Sequence, residues 1–288
     1  MKRWQEEADA AKAKIERFKA GDAQGLSSDE LRRAKTIVEA VLHPDTQEPI
    51  PAPFRVAAFG PANIPICAGM LMMPQTRFNV VFWQWVNQSY NAGFNYSNRN
   101  ANSDLSNEKL AAIYLGATTI SCGIALGLGE ALKKLPLTPS VSSSLFKLVP
   151  YMAVAGSNVF NLVSMRSSEL ATGIPVKDKD GRVLGLSKEA GKSAILQGAI
   201  TRVVIPAPVL LFPPIIMRFI DQAKLPPRIR PAAELFVIVA SVFGALPCAI
   251  GLFPQESSVP VSRVEREFQG LKTKDGEEVK QVFFNRGV

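Results

Sequence analysis

Five stretches of this sequence are almost free of charge, and they limit what the chain can become. Residues 54–73 hold only Arg55, 111–132 only Glu130, 147–165 only Lys147, 194–217 only Arg202, and 235–253 no charged residue. Each is 19 to 24 residues long, and about 20 apolar residues carry a helix across the hydrocarbon core of a bilayer. A single run of this kind also suits a buried helix of a large soluble protein. Five of them in 288 residues leave too little amphipathic surface to keep the product in water. The expected fold is therefore all-α: a polytopic helical membrane protein with five or six membrane helices, several broken by proline, preceded by amphipathic N-terminal helices.

The formal net charge of +8 suits contact with the anionic headgroups of a lipid bilayer. No cluster of basic and stacking residues lies outside the apolar runs, so nucleic acid is not an expected partner. Cys67, Cys122 and Cys248 all fall inside apolar runs, and the chain has one histidine, His43. That set builds neither a disulfide framework nor a zinc site, so no metal and no cofactor are expected. With the sole histidine outside the runs, no nucleophile–histidine–carboxylate set can be drawn, and the chain is not expected to be an enzyme.

Between the first two apolar runs lies Trp83-Gln84-Trp85-Val86-Asn87-Gln88-Ser89-Tyr90-Asn91-Ala92-Gly93-Phe94-Asn95-Tyr96-Ser97-Asn98-Arg99. On a helix at about 100° per residue, Gln84, Asn87, Gln88, Asn91, Asn95 and Asn98 fall within an arc of roughly 100°. Phe82, Trp83, Trp85, Val86 and Phe94 take most of the remainder. An uncharged amide stripe on an otherwise apolar helix has to face a protein interior. A second pair, Asn158 and Asn161, sits three apart inside the fourth membrane element, with Ser157 and Ser164 beside it. Amides inside a span are costly unless paired. They act either as glue between helices or as the wall of a polar interior.

Elsewhere the chain reads in three parts: 1–53, amphipathic helices and a turn; 54–253, the membrane bundle, with a loop or hairpin at 166–192; and 254–288, a soluble, helix-capable tail. Trp4, Ala8, Ala11, Ile15 and Phe18 recur at helical spacing, either to pack on the next helix or to touch the membrane surface. After a Gly25 break, Ser27 and Glu30 form a capping-box start, and the second helix stops at His43, before Pro44. Gly60-Pro61 and Pro65 predict a kinked or interrupted first span, which either exposes backbone to a ligand or is tolerated by its neighbours. Gly116, Gly123, Gly127 and Gly129 predict close helix packing. Ile174 to Leu184 reads as two short strands around Asp180-Gly181. The fifth apolar run, with Pro206, Pro208, Pro213 and Pro214, predicts a bent helix. Its Arg202 either snorkels to the interface or holds a carboxylate in a cavity.

Cation counting tests whether the amide helix crosses. With six crossings, one side carries 23 Lys and Arg, from 1–53, 97–110, 166–192 and 254–288, and the other seven. Without that crossing the sides carry fifteen each. A strong bias is normal for such proteins, so the count favours six elements with both termini on the more basic side.

Three motifs resemble the sideroflexins, a mitochondrial inner-membrane family formerly named tricarboxylate carriers. They are His43-Pro44-Asp45-Thr46 with Glu48; Phe82-Trp83-Gln84-Trp85-Val86-Asn87-Gln88-Ser89 continuing to Asn95-Tyr96-Ser97-Asn98-Arg99; and Gly173-Ile174-Pro175-Val176. The ending Phe253-Pro254-Gln255 and Phe283-Phe284-Asn285-Arg286-Gly287 is similar too. The family usually has glycine where this chain has Gln47, and a longer segment before the Trp4 helix. It is generally described with five spans. The resemblance implies transport of small neutral amino acids, serine foremost, across the mitochondrial inner membrane to feed one-carbon metabolism. Homo-oligomers or respiratory-assembly partners go with it. The rival readings are a non-transporting scaffold or assembly factor linked to iron, haem or respiratory-complex biogenesis, and a tricarboxylate (citrate) carrier.

The expected substrate pocket is lined by Gln84, Asn87, Gln88, Asn91 and Asn95, completed by Asn158 and Asn161, with Arg202 as carboxylate partner. Neutral amides replace the water of a zwitterion without holding a fixed charge too tightly. His43, Pro44, Asp45, Thr46 and Glu48 are expected to form a turn in contact with a loop cation, as a gate, rather than a metal site.

Overall fold

A computed structural model describes residues 2–21, 27–99, 106–222, 226–252, 256–273 and 276–286, without the side chains of 2–5, 140 and 246–252. The Gly25 break, the loop from Asn100, the Trp4 and Cys248 side chains, Phe253-Pro254-Gln255 and Gly287 lie outside the described residues.

Helices α1 (Lys2–Lys19) and α2 (Ser28–Val41) pair through small residues, which let two backbones approach: Ala8 and Ala11 are buried, Ala8 against Val41 and Leu42. The capping box at α2 forms as expected, with Glu30 N donating to Ser27 Oγ at 3.2 Å and Ser27 N to Glu30 Oε2 at 3.0 Å. Packing on the next helix is thus what the apolar face of α1 does.

The bundle consists of α3 (Phe59–Met72), α4 (Arg77–Ser97), α5 (Asn107–Lys134), α7 (Val149–Met165), the broken α9–α11 (Lys188–Val204, Ala207–Leu210, Phe212–Gln222) and α12 (Arg230–Leu252). Short α6 (Pro139–Phe146) leads into α7, and α8 (Ser167–Thr172) follows it. Among the described residues three helical stretches, 107–134, 141–165 and 188–222, are long and apolar enough to cross a membrane. Leu115, Leu196, Phe219, Phe236 and Phe243 are exposed on these helices and on α12. A surface of that kind is stable against lipid tails.

The proline expectations divide. The fifth run is broken, at Pro206 and again before Phe212, because a proline inside a helix supplies no N–H to the carbonyl four residues earlier. The first run is not. Its helix begins at Phe59, so Pro61 lies in the opening turn, where an N–H has no helical acceptor. Pro65 is carried inside α3, and residues 52–58 wind into two 3-10 turns.

The all-α expectation is corrected by a four-stranded antiparallel sheet. β1 (Ile174–Lys177) and β2 (Val183–Ser187) form the expected hairpin, and the chain end adds β4 (Gln281–Asn285) and β3 (Glu256–Pro260) in the order β2-β1-β4-β3. The tail is therefore strand rather than helix. Val282 and Phe284 point inward with period two and join Ile174, Val176, Ala190, Ala194 and Phe268 in one core. Gly173 permits the close turn into β1. Its φ of +82° is left-handed, and a Cβ there would meet the Ser187 carbonyl carbon at 2.8 Å.

Contacts at the helix ends fix which segments share a side. At one end Arg77, opening α4, pairs with Glu130 near the end of α5 at 3.0 Å. At the other, His43 meets the carbonyl of Arg99 after α4, and Arg166 after α7 donates to the carbonyl of Arg286. The N-terminal segment, the hairpin and the tail gather at this second end.

Candidate functional site

Helix α4 owes its start to Thr76, whose hydroxyl accepts from Asn79 N at 3.2 Å, and it runs unbroken for 21 residues. Its amide stripe faces α5 and α7. Gln84, Asn87 and Gln88 are 2%, 5% and 1% exposed, whereas Phe78, Phe82 and Trp85 on the other faces are exposed. Ser121 of α5 donates to Gln84 Oε1 at 2.6 Å, Gln88 Nε2 donates to Ser157 Oγ of α7 at 2.7 Å, and Ser89 Oγ meets Tyr114 OH at 2.9 Å. Glycines let α5 and α7 close on one another: a Cβ on Gly116 would sit 2.6 Å from Phe160, and one on Gly156 2.5 Å from Ile124. Gly123 and Gly127 have open space instead, and the packed small residues of α5 are Gly116, Ala117, Ser121 and Ala125.

Toward the second end the helices part around a cavity of about 310 Å³. Gln88 borders its deep end. Asn95, Tyr96, Asn107, Tyr114 and Asn161 line it higher up, among Ala92, Leu110, Ile113 and Met165. Among the described residues none that lines it is charged. Toward the first end, the space beside Gly69, Trp83, Gln84 and Pro150 is about 10 Å³, near the minimum that one water needs. The polar interior is therefore open at one end and shut at the other.

Of the expected site residues, the structure brings Gln88, Asn95 and Asn161 to this cavity. Gln84 and Asn87 are buried below it. Asn91 and Asn158 are half-buried and do not border it. Arg202 lies beside the exposed Val203 and Val204 on α9 and does not line the cavity. Tyr96, Tyr114 and Asn107 also line the cavity, and the sequence does not single them out: Tyr96 follows Asn95 directly, and the spacing of α4 does not say which residues of α5 come level with its stripe.

The His43 turn is built from backbone. His43 Nδ1 accepts from Asp45 N at 3.2 Å and Thr46 N at 3.3 Å, so its other nitrogen carries the proton and donates to Arg99 O at 2.8 Å. Both ring nitrogens are thus used, and Pro44, Asp45, Thr46 and Glu48 form the loop that presents them. The turn meets the loop cation residue Arg99 through the Arg99 backbone carbonyl. Nearby, Asn98 Nδ2 donates to Phe54 O at 2.8 Å and Tyr90 OH to Pro53 O at 3.0 Å. The turn clamps the approach to α3 onto the end of α4. Gln47 holds a left-handed φ of +58° there, and its side chain donates to Pro44 O at 2.8 Å.

The sideroflexin family model matches residues 4–288. A sideroflexin of Dictyostelium discoideum is 41% identical, covering 96% of this chain and 86% of its own. Sideroflexin-5 of Homo sapiens is 39% identical over 95% and 81%, and Sideroflexin-1 of Bos taurus 36% over 98% and 87%. The chain belongs to the sideroflexin family. No solved structure matches it.

The motifs that mark a sideroflexin here converge on the open end of the bundle. The His43 turn, the Arg99 end of α4, the Gly173 turn and Arg286 of the tail all lie there. Arg286 is buried and donates to Gln197 O and Thr201 Oγ1, both at 3.3 Å. Arg166 grips Glu169 at 2.6 Å and reaches the carbonyl of Arg286. These contacts tie the chain end to Arg166 after α7 and to α9, and of these two helices α7 supplies Asn161 and Met165 to the cavity wall.

Proposed function

We propose that this chain is a mitochondrial inner-membrane carrier of small neutral amino acids, serine foremost. It crosses the bilayer six times with both termini on the more basic side. The observation that carries this reading is the cavity. Its volume lies at the lower end of ligand pockets, roughly 300–1,000 Å³, and its walls combine neutral amides, tyrosines and short apolar side chains. A zwitterion finds donors and acceptors there in place of water. A tricarboxylate would bring three negative charges to a wall without a lining cation among the described residues, at a large desolvation cost.

The interior is open at one end and shut at the other, which is half of an alternating-access cycle. Passage requires the Gln84–Ser121 and Gln88–Ser157 contacts to part while the mouth closes. The break at Pro206 gives α9–α11 a place to bend. The test is reconstitution into liposomes and uptake of labelled serine. Uptake above empty vesicles, competed by serine but not by citrate, is the expected result. Uptake no faster than in empty vesicles favours a scaffold without transport.

A further inference from the structure

We infer that the cavity takes its ligand ammonium-first, and that it binds small protonated amino alcohols whether or not they carry a carboxylate. This rests on the cavity being the substrate site proposed above. The argument begins at the deep end. Ser157 has one hydroxyl proton, and that proton is directed to Val154 O at 3.0 Å. Its oxygen must then accept from Gln88, and the Gln88 amide can only present its NH2 group to it. The amide orientation is thereby set, and Gln88 Oε1 is left buried without a hydrogen-bond partner.

An unpaired buried acceptor is costly, and this one belongs to a residue bordering the cavity. It calls for a donor. Asn87 Nδ2, an unpaired donor at the same level of α4, belongs to a residue that does not border the cavity.

The opposite polarity is found at the mouth. The Arg99 guanidinium lies 4.6 Å from the centre of the Tyr96 ring and donates to Asn107 Oδ1 at 3.3 Å. Tyr96 and Asn107 both line the cavity. Asn107 also opens α5, where Glu108 in the first turn offsets the partial positive charge of the helix end, so the Arg99 guanidinium is what makes the rim positive. A cavity with an acceptor at its floor and positive potential at its rim orients a zwitterion with ammonium inward and carboxylate outward. The carboxylate stays near water, while the ammonium and the hydroxyl are the groups that the protein must recognise.

Two ligands separate the ends of serine: 2-aminoethanol keeps the ammonium and hydroxyl, and glycerate keeps the carboxylate with hydroxyl in place of the amine. Each is titrated against the purified full chain in detergent, with the melting temperature as readout, and serine uptake is followed in liposomes from the same preparation. 2-Aminoethanol should raise the melting temperature of the wild type. Glycerate should need at least about tenfold more, the worth of one charge-assisted hydrogen bond. Gln88→Leu should lose the response to 2-aminoethanol, and Gln88→Glu, which keeps an acceptor, should retain or strengthen it. Glycerate stabilising as well as the amine overturns the inference, as does a Gln88→Glu protein that no longer responds. Serine uptake together with the reversed ligand order would leave the carrier reading intact and remove this one. The amine response without serine flux would do the opposite.

Discussion

Gln88 of α4 and Ser157 of α7 share a 2.7 Å hydrogen bond between side chains that are almost wholly buried, and that bond floors the cavity. Ser157→Ala leaves the Gln88 NH2 group without an acceptor. The expected cost is about 1 kcal/mol, in line with hydrogen bonds between membrane helices, read as a lower melting temperature in detergent. Ser157→Thr keeps the hydroxyl and should recover most of the loss.

Close approach of α3 to α4 depends on Gly69, where a Cβ would fall 2.1 Å from the Trp83 ring. Gly69→Ala should destabilise by roughly 1–3 kcal/mol, the usual cost of overpacking. Gly123→Ala, on the open stretch of α5, should leave the melting temperature within about a degree or raise it, since alanine is the better helix former.

Both nitrogens of His43 are occupied by backbone groups, so the ring has no lone pair to offer a metal. Treatment with a chelator should leave melting temperature and uptake unchanged. His43→Ala removes three hydrogen bonds at a buried position, with an expected loss of about 2–3 kcal/mol and release of the approach to α3 from the end of α4, measurable as faster proteolysis before Phe59.

Glu265 of the tail caps α9 from a distance: its carboxylate accepts from Lys188 N at 2.6 Å, Glu189 N at 3.1 Å and Ser187 Oγ at 2.6 Å. Burial alone would push this carboxyl up, but the Ser187 hydroxyl and the backbone N–H groups outweigh it and hold it below the usual glutamate range. A depressed folded value means that the cap's contribution is fully present above the ordinary value of about 4.3. It is lost as the pH falls from there through the folded value. Melting temperatures between about pH 6 and pH 3.5 should converge for wild type and Glu265→Gln at the acid end, with the wild type higher at the neutral end.

Much of this was legible in the sequence because it rests on local chemistry. Charge-free runs marked the helices long and apolar enough to cross a membrane, the Ser27–Glu30 spacing marked a helix start, and the arc from Gln84 to Asn95 marked the face turned inward. The tail was not legible. β4 pairs with β1 about a hundred residues upstream, Phe283 opposite Lys177, and no local pattern reveals such a partner. Arg202, a cation inside an apolar run, fits either the interface or a cavity by sequence, because periodicity does not say which side of a bent helix faces the cavity. Nor did composition show that the His43 ring was committed to backbone.

The central claim is that the amide-lined cavity is a path for small neutral amino acids. Its most direct test is labelled serine uptake by liposomes containing wild type, Asn95→Leu or Asn161→Leu, each first shown to melt within a few degrees of wild type. Both substitutions place an apolar side chain in the wall of the cavity, and each should cut the initial rate at least about tenfold, the effect of losing one good polar contact to a charged ligand. Wild-type uptake that both variants match would contradict the account.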